Sequence, residues 1–256
     1  MKKVIYCALA LAAGLFVASC QQENLEPVEQ ENTVTYTVEL PDVQTKTIGD
    51  GLNVDQLVYE VWKTGEDGVI TDKSTRLYQK TINLAPDAPR KWIVSLNLVQ
   101  NQTYKALFWA QVGKPEGHEN YNTDQLTNVH YAYNVTKDYS SNQESYAAFY
   151  GTDVLDTHTP LKGKTITLTR PFAQLNIGTL NTALEDEYAI DMLQSSVEVT
   201  VPTQFNVATR EVDNHQKISF ALADVPSDPK VLPVSGTDYD YVAMNYVFAG
   251  ANTSVE

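Results

Sequence analysis

The sequence predicts an all-β protein of antiparallel type, and three observations carry that prediction. From Thr33 onward apolar and polar residues alternate with a period of two, the pattern of strands that bury one face. Turn residues interrupt the alternation at intervals of roughly 8 to 15 residues, the spacing of antiparallel sandwiches. Tyrosine outnumbers phenylalanine by 15 to 7, and pleated surfaces favour such half-exposed aromatics. A chain of 256 residues has room for one large domain or two modest ones.

The chain opens differently. Lys2 and Lys3 precede an apolar stretch from Val4 to Ala18, and the small residues of "VASC" lead into Cys20. A charged start, a short apolar core and a small-residue cleavage site describe a secretory signal. Roughly 15 apolar residues fall short of the ~20 that a spanning helix needs. "VASC" resembles a bacterial lipobox, in which the chain is cut between the residues equivalent to Ser19 and Cys20 and the cysteine is acylated. Acyl chains hold a protein at a membrane through ~0.8 kcal/mol per buried CH₂. The sequence has two cysteines, Cys7 and Cys20. The first would leave with the signal over residues 1–19 and the second would carry lipid, so no disulfide or thiolate metal site is expected. Residues 20–32 are then a lipidated tether whose polar, acidic composition offers almost nothing to bury. The formal charge of −14 argues against a nucleic-acid partner and against binding anionic lipid through a basic patch.

The strands follow in order. "TVTYTVEL" places Val34, Tyr36, Val38 and Leu40 on one face. "QLVYEVWK" sets Leu57, Tyr59 and Val61 against Val58, Glu60 and Trp62, and Gly65 and Gly68 turn it into its hairpin partner "STRLYQKTINL". "KWIVSLNL" and "TYKALFWAQV" are two further strands. Residues 113–128, marked by Gly and Pro and containing His118 and Tyr121, read as a long surface loop, and a second aromatic cluster runs from Tyr139 to Gly151. In "GKTITLTRPFAQLNIGTL" the alternation breaks at Pro171, which predicts a bulge or a sheet edge.

At "LTRPFAQLNI", and again at the tyrosine-rich "TDYDYVAMNYVFAG", the chain resembles the fimbrillin-like surface lipoproteins of Bacteroidales, relatives of the major and accessory subunits of type V pili. The lipobox, the acidic Glu23 beside it and the early "VQTKT" segment fit the same resemblance. It implies two successive antiparallel β-sandwich domains, the first transthyretin-like. On this reading residues 33–180 form the first, and residues 181–256 form a second that stops short at Glu256. A helix is expected at "NTALEDEYAIDML", followed by strands at "SVEVTV", "FNVATREV", "KISFAL", "KVLPV" and "YDYVAMNYVF".

The search for chemistry returns little. The four histidines, His118, His130, His158 and His215, lack zinc-helix spacing. No nucleophile elbow, phosphate loop or calcium loop occurs. The acidic groups Asp238 and Asp240, and Glu185, Asp186 and Glu187, read as solvated charge. No catalytic residue, metal ligand or cofactor is expected.

Two functions remain. The first is a lipid-anchored outer-membrane protein exposed at the cell surface, with other fimbrial subunits as partners. The resemblance implies that a protease removes the first strand of such subunits, Val34, Tyr36, Val38 and Leu40 being the apolar plug, so that a neighbour's strand fills the groove. The sequence departs from that pattern, because no arginine precedes Arg76 and Lys46 is the basic residue available for processing. The second is a glycan-binding lipoprotein, which needs an exposed aromatic platform. Trp62, Trp92 and Trp109 all lie inside alternating strands, which favours burial instead.

Overall fold

The computed structural model describes residues 31–41, 51–132, 142, 144–180, 193–225 and 231–250. The described residues form four sheets. β1 (Glu31–Glu39) lies between β4 (Lys91–Val99), antiparallel to it, and β9 (Lys164–Thr167), parallel to it. β2 (Gln56–Thr64), β3 (Thr75–Asn83), β5 (Thr103–Gln111) and β8 (Ala148–Asp156) make an antiparallel sheet in the order β3-β2-β5-β8. β6 (Tyr121–Asn122) and β7 (Val129–Tyr131) join the long hairpin of β11 (Gln194–Asn206) and β12 (Glu211–Asp224). The fourth sheet has the order β10-β14-β13, from β10 (Phe172–Thr179), β14 (Thr237–Phe248) and β13 (Val231–Val234).

The β2–β3 hairpin is the one the turn glycines predict. "KWIVSLNL" and "TYKALFWAQV", however, enter different sheets: β4 pairs with β1, while β5 pairs with β2 and β8. Their side chains show why. β4 alternates strictly, with Trp92, Val94, Leu96 and Leu98 buried and Lys91, Ile93, Ser95 and Asn97 exposed. β5 is buried almost without interruption from Ala106 to Gln111, the signature of a strand covered on both faces.

The sheet β3-β2-β5-β8 therefore serves two cores. On one face Leu57, Tyr59, Val61, Ala106, Phe108 and Phe149 pack against β1 and β4. On the other, Val58, Leu107, Trp109 and Ala148 pack against Tyr121, Phe205, Phe220, Tyr246 and Phe248. Two sheets draw strands from both sides of position 180: β7 pairs with β11, and β10 pairs with β14. Tyr121, expected on a surface loop, is buried against the ring of Trp109 at 5.5 Å, because the polar stretch around it dips into the second core as β6. Tyr146 and Phe149 of the second aromatic cluster are also core residues.

Several local expectations meet their physical causes. Pro171 stands immediately before the edge strand β10, and its carbonyl accepts from the amide of Ala249. Arg170 lays its guanidinium over Phe149 at 4.7 Å and Tyr246 at 5.8 Å, one ring from each core. "SVEVTV" and the start of "FNVATREV" are one strand, β11, and the turn falls inside the second motif, at Val207–Arg210, where Arg210 has φ of 63°. Ser235 and Gly236, both at positive φ, close the β13–β14 hairpin as a two-residue turn of the primed type. The helix expected over residues 181–193 falls almost wholly outside the described residues, which resume at Leu193.

Candidate functional site

β1 and the groove that holds it are the one feature that the sequence singled out and the structure assembles. Pairing with β4 runs without a register shift from Glu31↔Val99 to Glu39↔Lys91. The strand starts two residues before the side-chain alternation: Glu31 and Asn32 pair through the main chain with Val99 and Leu98, and Asn32 Nδ2 donates to the carbonyl of Thr157 at 3.2 Å. Four β1 residues, Tyr36 to Glu39, pair in parallel with Lys164 to Thr167 of β9 on the other side.

Val34, Tyr36 and Val38 have 0% exposure. Leu40 packs on the same core, partly buried. Burial of each such side chain contributes roughly 1.5–3 kcal/mol, so the strand is part of the first core rather than an appendage. Tyr36 reaches furthest. Its ring meets Phe108 of β5 edge-on at 5.3 Å, and its hydroxyl donates to Asp153 Oδ2 of β8 at 2.7 Å. Lys164 Nζ lies 2.6 Å from the same oxygen. Burial, and then the hydrogen bond and charge of Asp153, push the Tyr36 phenol far above its ordinary value, so it stays neutral and donating. One phenol thus spans the core and fastens β1 to the opposite sheet.

The chain returns after β1 at Gly51, whose φ of 77° and tight seat both require glycine: a Cβ there would stand 2.8 Å from the ring of Phe149. The outer face of β1 is polar. Thr33 Oγ1 donates to Asn97 Oδ1 at 3.0 Å, Thr35 and Ser95 hydroxyls lie 3.3 Å apart, and Lys91 pairs with Glu39 at 2.8 Å.

The other sequence-derived positions, Ser19, Cys20 and Lys46, lie outside the described residues, as do Glu185, Asp186 and Glu187. Trp92 and Trp109 are buried. Trp62 is partly buried and donates through Nε1 to Glu60 at 2.7 Å. Among the described residues no group of three or more His, Cys, Asp or Glu is placed to hold a metal ion. His158 pairs with Asp156 at 2.6 Å on the surface, where its backbone N–H and then its ring hold the carboxylate below the usual range.

Sequence reasoning passed over two polar centres. One is Asp153 with Lys164. The other is Glu60, fully buried on β2, whose Oε1 accepts from Arg76 Nη1 at 2.8 Å, Gln79 Nε2 at 3.2 Å and the Leu126 amide at 3.0 Å. The one available signal was a lone acid on the otherwise apolar face of Val58 and Trp62.

These features define an all-β protein of two cores on one shared sheet, with its first strand seated between β4 and β9. The chain belongs to the family of unknown function DUF6562, whose model matches residues 25–256. No curated protein matches the sequence. Among solved structures it is similar to the fimbrial anchor protein Mfa2 of Porphyromonas gingivalis, at 9% identity over 88% of this chain and 76% of that one, with a TM-score of 0.47. It is similar also to a fimbrial assembly protein of Parabacteroides distasonis, at 11% identity over 87% and 78%, TM-score 0.44. A third is a candidate polysaccharide-binding protein of Bacteroides thetaiotaomicron, at 13% identity over 85% and 72%, TM-score 0.48. At such values the fold assignment rests on the sheets and cores themselves.

Proposed function

We propose that this chain is a fimbrillin-type protein of the cell surface with a structural and adhesive role, as an anchor or accessory component whose first strand stays in its groove. It is not an enzyme on this reading, and an acylated Cys20 holds it to the outer membrane. The observation that carries the proposal is the seating of β1: a central strand, paired on both sides, with Val34, Tyr36 and Val38 fully buried. A sheet built around such a strand leaves a groove flanked by β4 and β9 if the strand departs, which is the geometry that strand exchange between subunits requires. The resemblance at "VASC" and "LTRPFAQLNI" supports the address and the class. The absence of any arginine before Arg76 supports the uncleaved form, and Arg76 itself is engaged with Glu60.

Expression of Cys20→Ala in cells tests address and role together. The variant should accumulate as precursor without acyl label, and fimbriae seen by electron microscopy and adhesion should fall as they do on gene deletion. Normal labelling would remove the lipid anchor; unchanged fimbriae and adhesion in both strains would remove the fimbrial role. Mild trypsin then separates a fixed component from a polymerising one. Cleavage after Lys46 is expected to give no ladder of detergent-resistant oligomers. A ladder that disappears on Tyr36→Asp would make this chain a polymerising subunit.

The glycan-binding reading draws less support, since both fully buried tryptophans belong to the cores and the third turns its Nε1 to Glu60.

A further inference from the structure

Exposed strand edges invite pairing with other chains, and proteins blunt them with bulges, prolines, interior charges or short length. Nearly every edge among the described residues carries such a device. β9 and β13 have four residues each, and β13 contains Pro233. β6 has two. β10 follows Pro171 and shifts register between Ile177 and Gly178. β3 carries Arg76 and Lys80 beside a shift at Val61/Trp62. β12 carries Glu211, Asp213, Lys217 and Asp224, and shifts at Ser195/Val197. β8 is bridged at Tyr150 by Thr169 and carries Asp153 and Asp156.

β4 has the fewest of these, all of them at its first residue. It is nine residues long, pairs with β1 in unbroken register, contains no proline, and has Lys91 at its end as its one charge, tied to Glu39. Its free groups can be assigned by parity. The Lys91 amide bonds to the Pro89 carbonyl, and the Val99 carbonyl accepts from Thr157 Oγ1 at 2.8 Å and Tyr104 OH at 3.2 Å, so the odd-numbered residues turn their main-chain groups away from β1. Ile93, Ser95 and Asn97 accordingly present N–H and C=O along an edge that no described strand covers.

We propose that this edge is an interaction surface for a second copy of the chain, paired antiparallel through β4 about a two-fold axis at Ser95. Ser95 is the midpoint of Lys91–Val99, so the pairing is self-complementary. Ser95 faces its own counterpart, Ile93 faces the second copy's Asn97, and Lys91 faces the second copy's Val99. The central pairs, Ser95 with its counterpart and Ile93 with the second copy's Asn97, each exchange two main-chain hydrogen bonds, while the Lys91 amide and the Val99 carbonyl keep the partners they already have. Nothing charged meets a like charge. That matters because each copy carries −14, and repulsion between copies confines contact to a surface free of carboxylates, as β4 is. Ile93, 61% exposed, gains cover from the joined sheet. Each copy uses its one β4 edge, so the assembly closes at two rather than growing. The inference is independent of the fimbrial role, since it stands on the edge alone.

The test is sedimentation equilibrium of the unacylated full chain in reducing buffer over a range of concentrations. A monomer–dimer equilibrium is expected. Ser95→Lys places two ammonium groups side by side at the axis, where directly opposed like charges destabilise pairing. It should raise the dimer dissociation constant at least ~10-fold and shift the melting curve of the monomer only slightly, because the Ser95 side chain is exposed and loses one surface contact, with the Thr35 hydroxyl. In oxidising buffer Ser95→Cys should trap a dimer whose disulfide joins the two introduced cysteines. A wild-type chain that stays monomeric throughout, or a dimer indifferent to Ser95→Lys, would overturn the proposal. So would a β4 edge that binds an extended peptide of another protein without self-association.

Discussion

Glu60→Ala is expected to lower the free energy of unfolding by about 3 kcal/mol in a urea titration. Removing one member of a buried ion pair costs ~3–5 kcal/mol because the other charge is left uncompensated. Arg76 keeps a third of its side chain in water and can be partly rehydrated, which places the effect near the lower end. The loss is shared by several donors. Trp62 Nε1 at 2.7 Å, Gln79 Nε2 at 3.2 Å and the buried Leu126 amide at 3.0 Å would all lose their acceptor. Arg76 and Gln79 also donate to the carbonyls of Asp124 and Thr123, each at 2.5 Å, so the carboxylate aims two side chains of β3 at the segment that leads into the second core. Glu60→Gln, which keeps the shape and one acceptor, should cost less than Glu60→Ala. Equal costs, or a loss below ~1 kcal/mol for alanine, would show that the buried charge does not organise this junction.

Trp109→Ala should be at least as damaging, at ~3–5 kcal/mol. The indole is fully buried on β5, with ring neighbours Tyr121 at 5.5 Å, Phe172 and Phe205 at 6.3 Å and Phe248 at 6.4 Å. The form of the transition says more than its size. Phe108, one residue away, belongs to the other core and touches Tyr36. A cavity beside Trp109 should therefore weaken both cores, and calorimetry should show one transition moved to lower temperature. Two transitions, with the one reported by Tyr36 unmoved, would mean that the shared sheet does not couple them.

Strand positions were legible because burial of one face imposes a period of two, and β1, β2, β3, β4, β5 and β14 all fall where alternation or apolar runs place them. Sheet membership was not. The alternating β4 and the uninterrupted β5 are joined by a turn at Asn101, yet lie in different layers, and the run Leu107-Phe108-Trp109-Ala110 was the sign that β5 is covered twice. Tyr121 was hidden by its neighbours, since Gly, Pro and Glu on either side describe a surface segment while the ring itself is core. Of the candidate site, the buried face of Val34, Tyr36, Val38 and Leu40 was readable from the alternation of β1 itself. The Tyr36–Asp153–Lys164 centre was not, because Tyr36 and Asp153 stand 117 residues apart and no local pattern joins them. Cys20 and Lys46 lie outside the described residues, so their roles stand on the chemistry of the sequence alone.

The seating of β1 also governs how this protein would bear mechanical load. If the proposed lipid anchor at Cys20 bears load, tension would enter the described fold at Glu31, the first residue of β1. Tension along a strand shears its ladders as a set, whereas tension across a strand peels them one bond at a time. Here the nine residues of β1 are held against β4 and four of them also against β9. Tyr36 adds a cross-tie to Asp153 on the facing sheet. Resistance to pulling would thus be concentrated where the tether joins the domain, and force applied at the cell surface would meet the first core before it reached the second.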